Sequence, residues 1–242
     1  MKQAAIPRQA ERRAGRQEVV DIATTALSGL AMVAALAMVF LYAPREAVMG
    51  EVQRIFYFHV ASAWVGFVAF GVTCAGSIAY LAGRRRIWDV LALSSGQVGL
   101  AFMTMAVLTG ALWARPVWGV YWTWEPRLTI SAIQLLLYLA YVSLRNVVDD
   151  RDRAARFAAV YGIIAFVTVP LSWFAIRWWR TIHPDLFSGG GGMAVTPPMW
   201  HTLLVSIVAF SLLYVTLLRM RMRLQQDAER LEDLRAELDA EV

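Results

Sequence analysis

Charged residues are scarce in this sequence. Only 17% of its 242 residues are Asp, Glu, Lys or Arg, whereas 59% are hydrophobic, compared with about 45–50% apolar residues in an average soluble domain. This composition excludes a disordered chain, which is highly charged and poor in apolar residues. It also excludes an ordinary soluble domain, and the apolar excess is sufficient for several membrane-spanning helices of about 20 residues each.

The sequence also has a single cysteine, Cys74, and no GxxxxGK[ST] segment. One cysteine excludes an internal disulfide, a CxxC redox pair and a thiolate metal cluster. Without a phosphate-binding loop of this type, the sequence has no Walker A nucleotide site. We therefore expect no ATPase activity from this chain, and any energy-dependent step would need another subunit.

Six apolar segments are long enough to cross a bilayer as helices. Each has 17–24 residues, and a helix rises about 1.5 Å per residue through about 30 Å of hydrocarbon. The segments are Ile22–Tyr42, Val60–Leu81, Val90–Trp113, Leu128–Leu144, Phe157–Ile176 and Met199–Leu218. Because the alternating pattern of a membrane β-barrel is absent, we predict an all-α polytopic membrane protein with six transmembrane helices.

Basic residues lie mainly on one side of the six predicted helices. Seventeen of the 23 Lys and Arg residues fall on the side of the two termini, and six fall on the other side. The positive-inside bias predicts that both termini are cytoplasmic. We expect a multi-pass protein of the inner membrane. The bilayer thus accounts for the net charge of +5 without nucleic acid as a partner.

The predicted organisation has three parts: a basic cytoplasmic N-terminus at 1–21, a membrane domain at 22–218 and a cytoplasmic tail at 219–242. In the tail, Leu224, Leu231 and Leu238 are spaced by seven residues. This spacing predicts a short heptad-like helix. A solvated amphipathic helix is the ordinary interpretation, and a docking helix for a partner subunit is the alternative.

Histidine and tryptophan are concentrated at the predicted outer ends of the helices. All three histidines, His59, His183 and His201, lie there. The following tryptophans lie at or near the same face: Trp113, Trp118, Trp122, Trp124, Trp173, Trp178, Trp179 and Trp200. An interfacial aromatic belt would use both faces of the membrane. The asymmetry therefore favours a binding surface at the outer face, although each histidine by itself is also typical of an interfacial residue.

The tryptophans are densest in what we call the Trp segment, Trp118–Arg127. At helical pitch Trp118 and Trp122 share a face, whereas in an extended chain Trp122 pairs with Trp124. Both arrangements predict a flat aromatic platform at the bilayer surface. Glu125, the only acid in the segment, is expected to pair with Arg127 or to cap the fourth span.

Indoles flanked by histidines suit a large, flat, apolar ligand with a metal at its centre, and haem has these properties. Its iron accepts imidazole on two axial faces, its porphyrin needs aromatic and apolar walls, and its propionates need cations. Five arginines lie on the same predicted side: Arg54, Arg115, Arg127, Arg177 and Arg180. Contact with lipid headgroups is the alternative role for each. We take Arg54, Arg127 and Arg180 as the candidate cations and b-type, non-covalent haem as the cofactor.

Three segments resemble one known family. The Trp segment and the two residues after it have the pattern Trp-Gly-x-x-Trp-x-Trp-Glu-x-Arg-Leu-Thr, which resembles the tryptophan-rich signature of membrane haem-handling proteins in cytochrome c maturation. With six spans, it is similar to the haem exporter protein C family. The segments Ile55–Val60 and Trp178–His183 resemble those around the two haem-ligand histidines of that family. The resemblance covers roughly residues 40 to 220 and implies that His59 and His183 are the axial ligands.

This resemblance also implies a function and partners. The chain would bind haem at the periplasmic face, with Trp118, Trp122, Trp124, Glu125 and Arg127 around it, and present it to a periplasmic haem chaperone. It would work beside an ABC-type ATPase subunit, a second membrane subunit and a small membrane-anchored accessory subunit. The family usually has aspartate at the position of Glu125, so the carboxylate here reaches one methylene further.

Three other functions remain open from the sequence. Larger relatives with the same tryptophan motif attach haem to apocytochrome c, so a synthase is the first alternative. A permease for another solute would have broken helices or ionisable residues near mid-membrane, and the predicted spans hold no charge near their centres. An electron-transfer cytochrome would place histidine pairs within the spans.

Overall fold

The computed structural model describes residues 8–145, 147–179, 183 and 195–240, with side chains from residue 15 onward. Within these ranges the α-helices are α1 Arg8–Ala37, α2 Ile55–Gly83, α3 Arg86–Trp118, α4 Pro126–Leu144, α5 Arg151–Phe166, α6 Thr168–Trp178 and α7 Pro197–Ala240. A π-helical turn, Met38–Tyr42, follows α1, and a 3-10 turn, Glu51–Arg54, precedes α2. The same ranges contain no strand beyond an isolated bridge between Glu46 and Gly50.

Six helical segments are long and apolar enough to cross a membrane, and α5 and α6 together make the fifth of them. This confirms the predicted all-α architecture with six spans. Six crossings bring both ends of the chain to one end of the bundle, which we call the terminal end. The opposite end, where α2 begins, we call the histidine end. The cytoplasmic location of the terminal end stays a prediction.

The fifth span is broken at Val167, between α5 and α6. Pro170 lies in the first turn of α6, where it has no N–H to donate to the carbonyl of Phe166 and its ring excludes that carbonyl. At the break, the Val167 N–H donates to Ile164 O, three residues back, at 3.1 Å, and not to the residue four positions back as in an α-helix. The predicted span Phe157–Ile176 is therefore two consecutive helices, and a proline is the cause.

The centre of the bundle is the pair α2 and α3, which pack along one another. Glycine makes this close approach possible: a Cβ added at Gly99 of α3 would lie 2.8 Å from the Cβ of Ala69 on α2. Helices α4 and α5 pack against this pair, and the rings of Phe70 and Tyr138 stack in the core. Helix α1 packs along α7 and leaves most of its surface exposed.

Buried ion pairs join several helices at the terminal end. Asp89 of α3 is 1% exposed and accepts hydrogen bonds from Arg86 Nη1 at 2.6 Å and from Arg145, just after α4. Arg86 also binds Glu229 of α7, with an Nη2–Oε1 distance of 2.5 Å. Arg151 of α5 adds exposed ion pairs with Glu232 and Asp233 further along α7. These contacts dock the end of α7 on α3, α4 and α5.

The predicted tail is the continuation of α7. The helix runs from Pro197 to Ala240 without interruption, so the predicted boundary at residue 219 lies inside one helix and stays a prediction about where the bilayer ends. Leu224, Leu231 and Leu238 are exposed on it. The tail is therefore an amphipathic helix that turns Glu229, Glu232 and Asp233, and not its leucines, toward the bundle.

Candidate functional site

Two histidines from distant parts of the chain meet at the histidine end. His59 lies in the second turn of α2, and His183 lies between α6 and α7. Their ring centres are 6.2 Å apart, and the ring planes are inclined by 38°. Trp113 of α3 packs beside His59, with 6.0 Å between the ring centres. The structure therefore brings together the two histidines that the sequence analysis paired.

The backbone of α3 determines which nitrogen of His59 is available. Nδ1 lies 2.8 Å from the carbonyl oxygen of Ala106, which can only accept a hydrogen bond. Nδ1 therefore carries the proton, and Nε2 keeps its lone pair. The hydroxyl of Thr109 lies 3.4 Å from the same Nδ1 and is within 2.7 Å of Met105 O, to which it donates. A histidine held in this way offers Nε2 to a metal.

An apolar cavity of about 320 Å³ opens beside the two histidines. Its walls come mainly from α2, α6 and α7 and are formed largely by Trp64, Phe67, Trp173, Ile176, Trp200 and Leu203. Arg127 and Arg177 line the cavity as well. Aromatic and apolar walls with two guanidinium groups suit a large apolar ligand that carries negative groups.

Two smaller cavities, of about 40 and 30 Å³, also border His59 and His183. We call them the side cavities. Trp122 lines both of them, Arg127 lines the larger, and Trp118 and Glu125 line the smaller. The structure thereby places four of the predicted site residues next to the histidines, although they are 50 or more positions away from either histidine in the sequence.

The Trp segment forms an irregular loop between α3 and α4. Gly119 ends α3 with a φ of +78°, and Pro126 is the first residue of α4. The rings of Trp122 and Trp124 are 5.7 Å apart and inclined by 77°. This differs from the flat platform that we expected, because the positive edge of one indole meets the negative face of the other.

Several polar atoms of this loop are buried and have no hydrogen-bond partner among the described residues. They are Trp122 Nε1, Thr123 Oγ1 and both carboxylate oxygens of Glu125. Glu125 occupies the N-cap position of α4, but its side chain makes no capping bond. Neither of the two roles expected for this carboxylate is therefore filled by the described part of the chain.

Two predicted site residues point elsewhere, and a third is not described. The side chain of Trp124 is 77% exposed and lines none of the three cavities. Arg54 binds Glu51 and the carbonyl oxygen of Val39, so it ties the start of α2 to the end of the first span instead of lining a cavity. Arg180 lies outside the described residues.

His201, the third histidine, is also turned away from these cavities. Its Nδ1 lies 3.1 Å from the hydroxyl of Tyr42, and the two rings stack with 6.4 Å between centres. It is exposed and borders none of the three cavities. His201 is therefore set apart from the adjacent pair His59 and His183.

Some residues at the apolar cavity were not predicted as site residues. Trp173, Arg177 and Trp200 were placed at the outer face by the sequence, but nothing in their spacing distinguished them from an interfacial belt. Phe67 follows His59 along α2 by eight positions, a helical spacing that was the one available signal, whereas Trp64, five positions on, gave none.

The profile of a family described as "Heme exporter protein C" matches residues 2–237. The chain belongs to this family. The match includes every described residue that lines the three cavities.

Individual relatives show the same likeness. The chain is 39% identical over 176 residues to "Heme exporter protein C" of Bradyrhizobium diazoefficiens, which covers 72% of this chain and 67% of that protein. It is 31% identical over 184 residues to the protein of the same name from Escherichia coli K12, covering 76% of this chain and 74% of the relative. A "Putative cytochrome c biosynthesis ccmC-like mitochondrial protein" of Marchantia polymorpha is 27% identical over 141 residues, or 58% of this chain and 59% of that protein.

Proposed function

We propose that this chain binds haem between His59 and His183 at the periplasmic face of the inner membrane and delivers it to a periplasmic haem chaperone during the maturation of c-type cytochromes. The observation that carries the proposal is the distance of 6.2 Å between the two imidazole centres at the edge of the apolar cavity. A metal–imidazole bond is about 2 Å long, so two imidazoles on opposite faces of one iron have centres about 6 Å apart. The names of its relatives, which refer to heme export and cytochrome c biosynthesis, support the same cargo.

The chemistry of the cavity fits haem as a transient, non-covalent ligand. Aromatic and aliphatic side chains line most of the wall, and Arg127 and Arg177 supply the charge that propionates need. Covalent c-type attachment uses a Cys-x-x-Cys-His segment. This sequence has only Cys74, which is buried in the middle of α2. The haem is therefore held without a covalent bond, by axial histidines, ion pairs and packing, and it is free to leave.

A spectrum and a transfer assay test this function. We expect the purified protein to show the absorbance bands of a haem with two imidazole ligands in its oxidised and reduced forms. We also expect the haem to pass to the purified apo-chaperone. Protein that never binds haem would support a permease for another solute. Covalent attachment of haem to apocytochrome c by this chain alone would support a synthase.

The Trp segment is the surface that we assign to the chaperone. Val120, Tyr121 and Trp124 are exposed at the histidine end. The buried carboxylate of Glu125 and the buried indole N–H of Trp122 have no described partner, and buried polar groups in proteins are nearly always hydrogen-bonded. A loop with exposed aromatic rings and unfilled hydrogen-bonding groups is suited to a partner that completes them.

Alanine at Trp122 and alanine at Trp124 should have different effects. Trp122→Ala removes a side chain that borders both side cavities, and an aromatic contact contributes about 0.5–1.5 kcal/mol beyond its area, so haem affinity should fall roughly 2- to 12-fold. Trp124→Ala should leave haem affinity unchanged and slow the transfer to the chaperone. Haem titration and stopped-flow transfer measure the two effects. Equal losses of haem affinity in both variants would contradict this separation.

At the terminal end we propose contacts with an ABC-type ATPase subunit, a second membrane subunit and a small membrane-anchored accessory subunit. Arg84 and Arg85 are exposed in the short α2–α3 connection, where an ATPase subunit can reach them. Arg86 is different, because it holds Asp89 and Glu229 in the buried ion pairs. Charge reversal at Arg86 would therefore disturb the fold as well as any docking.

Charge-reversal variants can show whether the ATPase subunit docks on the α2–α3 connection or on the tail of α7. We expect Arg84→Glu with Arg85→Glu to remove most of the ATPase subunit that co-purifies with this chain. The matched control is Arg230→Glu with Arg235→Glu, which reverses two exposed charges on the tail helix. If the control variant loses the ATPase subunit and the loop variant keeps it, the docking site is the tail.

A further inference from the structure

At the histidine end, α3 lies unusually close to the side chain of His59. A Cβ added at Gly110 would lie 2.8 Å from Cε1 and 3.1 Å from Nδ1 of the imidazole. Side-chain carbons do not approach other atoms this closely without a shift of one of them. The ring of His59 therefore occupies the space that any side chain at position 110 would need.

The same stretch of α3 makes the hydrogen bond to His59. Ala106 O, one turn before Gly110, accepts the Nδ1 proton at 2.8 Å. The ring is thus held at two points by backbone: its edge lies against Gly110, and its Nδ1 proton is bonded to Ala106. Because the Ala106 hydrogen bond uses the Nδ1 proton, Nε2 is the ring nitrogen that keeps a lone pair. His59 lines the three cavities together with His183.

We propose that Gly110 is a positioning residue for haem ligation. The missing side chain lets the α3 backbone reach the imidazole, so that the Ala106 carbonyl sets the tautomer of His59 and Nε2 faces the iron. This inference rests on the proposed function in assigning Nε2 to iron, but the ring orientation and the tautomer belong to the haem-free protein. A methyl group at position 110 would meet Cε1 and Nδ1 of the ring, so the ring would have to leave Ala106 O and change its orientation.

Two measurements on Gly110→Ala test this role, with Gly29→Ala as the matched control because a Cβ at Gly29 of α1 meets no atom within 4 Å. The first is ¹⁵N NMR of the haem-free protein labelled at histidine, with the His59 signals identified by their loss in His59→Gln. We expect wild type and Gly29→Ala to show Nδ1–H on His59 and Gly110→Ala to lose that tautomer. The second measurement is the haem spectrum and a haem titration. Gly110→Ala should lose the two-imidazole spectrum, and its haem affinity should fall at least about 10-fold, the smaller of the losses that follow removal of a supporting contact to a metal ligand.

These measurements distinguish a failure of the Gly110 inference from a failure of the proposed function. Wild-type His59 with its proton on Nε2 would overturn the inference whether or not haem binds. So would a Gly110→Ala protein that keeps both the tautomer and the haem spectrum. If the tautomer is as expected and wild type binds no haem, the proposed function fails and the positioning of the ring stands.

A double-mutant cycle covers the case in which Gly110→Ala does not fold. Since the imidazole is the group that the new methyl would meet, Gly110→Ala should lower the melting temperature in the wild-type background and leave it unchanged in a His59→Ala background. Recovery of folded His59→Ala/Gly110→Ala protein supports the contact. Equal destabilisation in both backgrounds would show that position 110 acts on the fold and not on His59.

Discussion

Alanine at His59 or at His183 is expected to abolish the two-imidazole haem spectrum. On the proposed ligation each variant would leave the iron with one axial ligand, since the rings are 6.2 Å apart and line shared cavities. Loss of an outer partner of a metal ligand already costs roughly 10- to 100-fold in affinity, so loss of the ligand itself should exceed about 100-fold. Spectra of the purified variants and titration with haem measure both effects.

His201→Ala is the matched control for these two variants. It removes the same side chain at the same end of the bundle, but this ring is exposed and bonded to Tyr42. Haem affinity should stay within about 2-fold of wild type, since the ring contacts none of the three cavities and only a surface side chain is lost. A His201→Ala protein without a haem signal, beside a His59→Ala protein that retains it, would refute the ligand assignment.

Asn in place of Asp89 should cause the largest loss of stability. The carboxylate is 1% exposed and compensates the charges of Arg86 and Arg145, whose own side chains are partly or mostly buried. Removal of one partner from a buried ion pair leaves an uncompensated charge and destabilises by about 3–5 kcal/mol. The melting temperature in detergent, followed by tryptophan fluorescence, should fall accordingly, and the tail of α7 should become sensitive to protease.

The control for Asp89→Asn is Asp227→Asn. Asp227 pairs with Arg230 at 3.7 Å, and both side chains are more than 60% exposed. An exposed ion pair contributes at most about 1 kcal/mol. If the two substitutions lower the melting temperature equally, the buried ion pairs do not hold the terminal end together.

The spans and the histidine pair could be predicted from the sequence, for different physical reasons. An apolar run of about 20 residues in lipid has the helix as its stable form, and this depends on local sequence alone. His59 and His183 were paired by the resemblance of their flanking segments to a family. Pro170 is visible in the sequence as a residue that interrupts a helix, and the break at Val167 follows from it.

What could not be predicted depends on contacts between distant residues. Arg54 was assigned to the site because it lies close to His59 in the sequence. Its guanidinium instead donates a hydrogen bond to Val39 O in the π-helical turn. The outward turn of Trp124 depends on the irregular path of the Trp segment, which has no periodicity to read. In the sequence, Asp89 is typical of a solvated charge at the end of a span. It is a buried carboxylate in the structure because Arg145, just after α4, pairs with it.

The uninterrupted course of α7 joins the two faces of the membrane mechanically. Trp200 and Leu203 at one end of the helix form part of the apolar cavity, and Glu229 near the other end lies in the buried ion pairs. The intervening rod is about 44 Å long at 1.5 Å per residue. It contains no glycine or proline at which it would bend. A displacement of α7 at its ion-paired end would therefore be transmitted along a stiff helix to the wall of the cavity.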